Sequence, residues 1–335
     1  MKRILITNDD GFESPGLHAL ARALRPLGHV TIVAPTSEKS ACGHSLTLTR
    51  PLRFVAIEDD FFKLDDGTPT DCIYLSLNAL FEGNSKPDLV VSGINKGSNL
   101  GEDITYSGTA SAAMEAALHG VPAIAISQVY VGGVQNIELT HGYDLAEKTV
   151  HDLAKKILEG TFPLGERRFL NVNIPPLSPQ ECKGYKVTRA GYRMYGNDAH
   201  LHRNPRGEEY YWLGVHTLEW KKSEKADCDL SAIDEGYISI TPIKLDMTAH
   251  DELENFAAAS DEDESLLHAV IRQAMIACFV SKDIENYGLL KVTARGKAYL
   301  KKPEPFPVVK DKEFEEEEEE TAVKSSGGTC AADDV

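Results

Sequence analysis

The chain has 335 residues and a formal net charge of -17, with 35 lysines and arginines set against 52 acids. That length supports one large or two ordinary domains with a hydrophobic core, and the acidic balance argues against a general nucleic-acid surface. Six cysteines are scattered without a CxxC pair, so neither a zinc site nor a disulfide framework is signalled.

Lys2 and Arg3 are followed by an apolar run too short for a signal peptide, and no stretch approaches membrane-spanning length. The expectation is a cytoplasmic protein with no membrane partner. Ile4, Leu5 and Ile6 read as a strand covered on both faces, running into Asn8, Asp9, Asp10 and the turn residue Gly11. Ser14-Pro15 marks a helix start, Leu17, Leu20, Ala21 and Leu24 form its apolar stripe, and Gly28 ends it. Val30 to Pro35 is the next strand, which completes one βαβ unit. Two adjacent carboxylates at the carboxyl end of a strand suggest a hard-cation site, the alternative being a polar turn.

The alternation continues. Thr70 is read as the cap of a helix running to about Phe81, Leu89 to Val91 as a strand, and Thr109 to His119 as a helix stopped by Gly120. Pro122 to Ile126, Tyr143 to Glu159 and Phe169 to Ile174 follow as strand, helix and strand. The fold class is therefore α/β, a doubly wound, Rossmann-like, mostly parallel sheet. Residues 180–250 change texture to short strand-like pieces without a helical stripe, at Tyr185 to Thr188, Tyr210 to Leu213 and Tyr237 to Pro242. They predict a β-rich C-terminal appendage used for oligomer contacts. The acidic AAASDEDE stretch sets a linker at 257–264. A helix through Leu266, Leu267, Val270, Ile271 and Met275 follows, then strand-like runs at Leu289 to Thr293 and Arg295 to Leu300 with a turn at Gly296. Residues 311–335 hold ten acids and two bases, hence -8, and 303–335 read as an acidic disordered tail.

Three loops approach the acidic pair in this topology. PTSEKSACG offers Ser40 as a neutral oxygen ligand, SGINKGSNLG supplies Asn95 and Asn99, and Ser107, Gly108 and Thr109 open a helix whose N–H groups and dipole suit a phosphate. Taken singly, these residues fit a solvated loop, tight turns and an ordinary helix cap. Taken together, oxygen donors without histidine or thiolate favour Mg²⁺ or Mn²⁺, and a cation beside an anion cradle is what phosphoryl transfer to water requires. His18 and His119 read as surface or dipole-complementing residues, and His44 and His250 have no partner at ligand spacing. Tyr192, Tyr195, Tyr210, Tyr211 and Trp212 suit base stacking or a buried β-core.

The segments ILITNDDG, APTSEKSACG, VVSGINKGSNLGEDITYSGTASAAMEAALHGVPAIAIS, NPRGEEYYWLG and DEGYISITPIKLD resemble the SurE family of metal-dependent nucleoside monophosphate phosphatases, over about residues 1–256. The resemblance implies that Asp9, Asp10, Ser40 and Asn95 hold one divalent metal ion per subunit, and that Asn99, Ser107, Gly108 and Thr109 face the phosphate. It also implies hydrolysis of nucleoside 5′- and 3′-monophosphates, short polyphosphate as a further substrate, and a homodimer or tetramer formed through the β-rich segment. Asp9 would orient or deprotonate the attacking water, an aspartyl-phosphate being the alternative. Asn204 stands where the family commonly has an aspartate before the Pro-Arg-Gly turn.

Residues 265–302 are similar to the final helix and β-wing of the winged-helix domain of RecQ-type DNA helicases. Without the earlier helices of that domain, and with an acidic tail after it, a packing appendage is expected and nucleic acid is not an expected partner. A nucleotide-sensing, DNA-associated protein is the rival reading. A dinucleotide oxidoreductase is disfavoured because NDDGFESPG contains no GxGxxG.

Overall fold

The computed structural model describes residues 1–81, 86–130, 142–162, 164–193, 199–213, 227–255, 264–283 and 289–306. Two compact units, Met1–Met247 and the chain from Thr248 onward, make up the molecule.

In the first unit β1 (Arg3–Thr7), α1 (Pro15–Leu24) and β2 (His29–Pro35) form the opening βαβ unit. An edge hairpin, β3 (Arg53–Glu58) and β4 (Phe61–Asp65), precedes α2 (Pro69–Leu75), β5 (Leu89–Lys96), α3 (Gly108–Leu118), β6 (Ala123–Gln128), α4 (Asp144–Leu158) and β7 (Arg168–Ile174). The short β8 (Tyr185–Val187), a ribbon of β9 (Ala199–Arg203) and β10 (Glu209–Leu213), α5 (Asp229–Asp234) and β11 (Ile238–Lys244) complete it. Nine strands form one sheet in the order β3-β4-β2-β1-β5-β6-β7-β11-β8, parallel except for the β3–β4 and β7–β11 pairs.

Ile4 and Ile6 point to the face covered by α1 and α4, and Leu5 to the face covered by α2 and α3. The chain leaves β1 towards β2 and returns on the opposite side at β5, so the strand order reverses beside the carboxyl end of β1. A Cβ on Gly16 would lie 2.0 Å from the Ile94 carbonyl oxygen, so glycine is what lets α1 pack this closely on β5.

Several boundaries differ from the sequence reading. The cap of α2 is Thr68, not Thr70: the Thr68 hydroxyl accepts the Asp71 N–H at 3.0 Å and Asp71 accepts the Thr68 N–H at 2.8 Å. Pro69 at the first helical position fixes that frame. The expected appendage divides in two. β8 and β11 extend the main sheet, where the Thr188 hydroxyl meets those of Ser239 and Thr241 at 2.8 and 2.7 Å. The β9–β10 ribbon stands apart as its own two-stranded sheet. A helix, α5, also lies in the region read as helix-free. Asn204 Oδ1 accepts the N–H groups of Arg206 and Glu208 at 2.9 and 3.0 Å, as a carboxylate would in the same turn.

The second unit contains α6 (Glu264–Ile276), an antiparallel pair β12 (Val280–Asp283) and β13 (Leu289–Val292), and α7 (Ala294–Lys301). Residues 295–300, read as strand-like with a turn at Gly296, are helical because Thr293 caps them, its hydroxyl accepting the Gly296 N–H at 3.1 Å. The Phe279 ring stacks on Tyr299 at 4.6 Å and meets Phe306 at 5.5 Å, with the Arg295 guanidinium 5.5 Å above it. Most of the expected linker and tail, residues 256–263 and 307–335, lies outside the described residues. Among the described residues no helix is long and apolar enough to cross a membrane.

Asp71 also accepts the Thr47 N–H at 2.8 Å and the Thr47 hydroxyl at 2.6 Å, tying the 44–52 segment to α2. Replacing Asp71 by Ala would strand these half-buried donors, and urea unfolding should show a loss of about 2 kcal/mol.

Candidate active site

Asp9 and Asp10 follow directly on β1, at the reversal of strand order. Asp9 is buried, and both of its oxygens are held from α3: Oδ1 accepts the Thr109 hydroxyl and Oδ2 accepts the Thr109 N–H at 3.1 Å. A Cβ on Gly108 would come within 2.9 Å of Asp9 Cβ and 3.0 Å of Asp9 Oδ2, so the helix start reaches the carboxylate only because this residue is glycine. Asp10 Oδ2 accepts the Lys96 N–H at 2.9 Å.

The electrostatics follow from this crowding. Burial pushes the Asp9 carboxyl above its ordinary value against the Thr109 hydrogen bonds. Asp10 is pushed up to about 6 by burial and then by the Asp9 charge, which the Lys96 N–H and ammonium only partly offset. Asn8 Oδ1, at the same strand end, is buried without a hydrogen-bond partner.

The neighbouring loops supply neutral oxygens. The Lys39 N–H donates to the Asp9 carbonyl at 2.7 Å and docks the 36–43 loop on the pair, with the Ser40 hydroxyl donating to Glu38 at 2.6 Å. A register shift between Ser92 and Asn95 breaks the β5–β6 ladder. The Asn95 amide nitrogen donates to the Gly97 carbonyl at 3.0 Å, which leaves its oxygen as the donor atom for a ligand. Among the described residues no three His, Cys, Asp or Glu side chains converge as a metal group. Two carboxylates with amide and hydroxyl oxygens nearby are a set of hard oxygen donors, the type that suits a divalent ion such as Mg²⁺ or Mn²⁺.

At the start of α3, Ser107 is the cap: its oxygen accepts the Ala110 N–H at 2.9 Å, so its proton remains free to donate outward. Gly108 occupies the first helical position beside it. Thr109, expected to face the phosphate, directs both donors to Asp9 and so positions the carboxylate. Asn99 likewise turns its amide nitrogen inward to Ser127 at 2.8 Å.

Sequence reasoning missed the residues beneath this surface. Asn173 accepts the Asn99 N–H at 2.9 Å and donates to its carbonyl at 3.0 Å, and Asn171 donates to the same carbonyl at 2.8 Å. The NVN pattern in β7 was a signal, since amides in a fully buried strand need partners. His44, which has no partner at ligand spacing in the sequence, lies 2.6 Å from Glu115, and His119 bonds the other oxygen at 3.0 Å. Burial alone would raise the Glu115 carboxyl, but the His44 contact and the two imidazoles bring it below its ordinary value. Tyr192, Tyr210, Tyr211 and Trp212 are exposed rather than β-core, and Tyr195 lies outside the described residues.

A family model described as Survival protein SurE matches residues 4–197, and one described as RQC domain matches residues 244–317. A protein of Aliarcobacter butzleri named 5′-nucleotidase SurE is 62% identical over 255 residues, covering 76% of this chain and 97% of that protein. Its namesake in Wolinella succinogenes is 62% identical over 261 residues, covering 77% of this chain and 99% of its own. The crystal structure of the SurE protein from Aquifex aeolicus superimposes with a TM-score of 0.66 at 43% identity, covering 77% of this chain and all of that one.

A divalent ion taken up by the acidic pair must displace the proton that Asp10 holds up to about pH 6. Calorimetric titration with Mn²⁺ should therefore show affinity falling at least about tenfold per pH unit below that value, the Asp9 carboxyl, also raised by burial, adding to the loss. Affinity independent of pH across this range would remove Asp10 from the ligand set.

Proposed function

The chain belongs to the SurE family, and from that premise and the site geometry we propose that it is a metal-dependent 5′-nucleotidase, hydrolysing nucleoside monophosphates to nucleoside and phosphate. The observation that carries this reading is the buried Asp9 carboxylate, fixed by Thr109 beside Asp10 and next to the free donors of Ser107 and Gly108. Asp9, Asp10, Ser40 and Asn95 would hold the ion, Mg²⁺ or Mn²⁺. When bound, it would supply the positive charge that neutralises the phosphoryl oxygens.

The chain's own groups account for the rest. The Ser107 hydroxyl and Gly108 N–H, reinforced by the dipole of α3, face the phosphate oxygens and stabilise charge there during displacement. Asn99, clamped through its backbone by Asn171 and Asn173, holds the adjoining loop at the same anion. With both Asp9 oxygens engaged by Thr109, orienting and deprotonating an attacking water suits this carboxylate better than attacking phosphorus itself. Nucleoside 3′-monophosphates and short polyphosphate present the same terminal phosphate and extend the substrate range.

The exposed Tyr211, Trp212 and Leu213 on the β9–β10 ribbon support assembly as a homodimer or tetramer. The reading places the protein in the cytoplasm, where nucleoside monophosphates and Mg²⁺ are available. Residues 1–256 carry the chemistry, and 265–302 form the winged-helix-like fragment.

Phosphate release from a nucleotide panel, with and without divalent ions, tests the reading. Asp9→Asn should lower turnover at least about a hundredfold while leaving the unfolding midpoint in place. Full wild-type activity in excess chelator would refute the metal-dependent assignment. A chain ending at Ala257 should keep its solution mass and most of its turnover, because every proposed ligand precedes residue 110. A folded truncation that loses more than about tenfold activity would place the C-terminal unit at the site or its assembly.

A further inference from the structure

The acidic pair opens on its Asp10 side into a cavity of about 540 Å³ that the chemistry above leaves unused. This falls within the range of small-molecule sites. Tyr130, just beyond β6, and Tyr143, at the start of α4, form one wall, and Glu38 and Lys96 bring opposite charges to the others. The close packing of α1 on β5 builds this wall: a Cβ on Gly16 would lie 3.3 Å from the Tyr143 hydroxyl. The Tyr130 hydroxyl is buried without a hydrogen bond of ordinary geometry, its neighbour being the Tyr143 hydroxyl. Asp10 lines the same cavity as these two phenols. None of the exposed aromatics of the β9–β10 ribbon lines this cavity.

A monoester whose phosphate rests at the acidic pair and the start of α3 must place its ester substituent beyond that pair. The cavity has Asp10 in its wall, so it adjoins the acidic pair and offers space for such a substituent. Two phenol side chains in one wall combine apolar ring surface with hydroxyl groups, a chemistry that suits a heteroaromatic base bearing ring nitrogens and exocyclic groups. The Glu38 carboxylate and Lys96 ammonium suit sugar hydroxyls. We propose that this cavity is the nucleoside subsite, with the base packed against Tyr130 and Tyr143. The assignment rests on the nucleotidase reading and adds the residues that select a nucleotide over other phosphate esters.

The test compares adenosine 5′-monophosphate with ribose 5-phosphate, which keeps the sugar and phosphate and lacks the base. Tyr130→Ala should lower kcat/KM for the nucleotide about tenfold, chiefly through KM, and change that for ribose 5-phosphate less than about twofold. Tyr130→Phe and Tyr143→Phe, which keep the rings, should retain most of the nucleotide preference, and adenosine binding by calorimetry should weaken only in Tyr130→Ala. Parallel loss on both substrates, or no loss on either, overturns the subsite. A wild-type enzyme that hydrolyses ribose 5-phosphate as well as the nucleotide overturns it too, and leaves phosphatase chemistry standing. Failure to release phosphate from any nucleotide at any divalent ion tested would instead overturn the nucleotidase reading and the subsite with it.

Discussion

The contact between the end of β1 and the start of α3 organises the site, joining Asp9 to Thr109 across 100 residues of sequence. An isolated carboxylate at that depth would be costly to keep charged, and two Thr109 donors with a helix N-terminus make it tolerable. The geometry demands close approach, which α3 achieves through small residues: Gly108, Ala110, Ala112, Ala113, Ala116 and Ala117 are all buried in it. Such a helix lies near the sheet on much of its circumference and has little room for larger side chains. The same contact fixes Ser107 and Gly108 relative to Asp9, so the start of α3 and the acidic pair are set by one packing arrangement.

A second layer of constraint lies beneath. Strands of a parallel sheet buried on both faces are expected to be apolar, yet β7 carries the fully buried Asn171 and Asn173. Their amides find partners in the backbone of Asn99, and the Asn99 amide finds Ser127. The loop after β5 is thereby tied to β6 and β7 by four hydrogen bonds of Asn99. Asp229 does similar work at the next turn, accepting the N–H groups of Gly101 and Gly191 at 2.8 and 2.9 Å. Burial raises its carboxyl pKa against those bonds.

The region after β7 illustrates how one texture of sequence divides between structural roles. β8 and β11 complete the sheet and bury Ile238 and Ile240 against the α1–α4 face. The β9–β10 ribbon buries neither of its faces, leaving Trp212 at 64% and Leu213 at 82% exposure. Beyond Met247 a separate compact unit gathers around Phe279, whose ring is covered by Tyr299, Phe306 and the Arg295 guanidinium.

The sequence by itself determined the α/β class, the opening βαβ unit and the position of the acidic pair. These depend on local periodicity, caps and turn residues that short segments encode. The motifs also placed Asn95, Asn99 and Ser107 to Thr109 at strand and helix ends. Local pattern could not assign those groups their partners. Thr109 read as a phosphate donor because a helix start favours anions, and only tertiary packing showed that the nearest anion is Asp9. The β3–β4 hairpin, the division of residues 180–250, the Asn171 and Asn173 clamp and the Tyr130–Tyr143 wall were likewise decided in three dimensions. The clamp joins residues 72 and 74 positions apart, and the free energy that selects such a contact arises from burial and hydrogen bonding between segments, which neither segment carries alone.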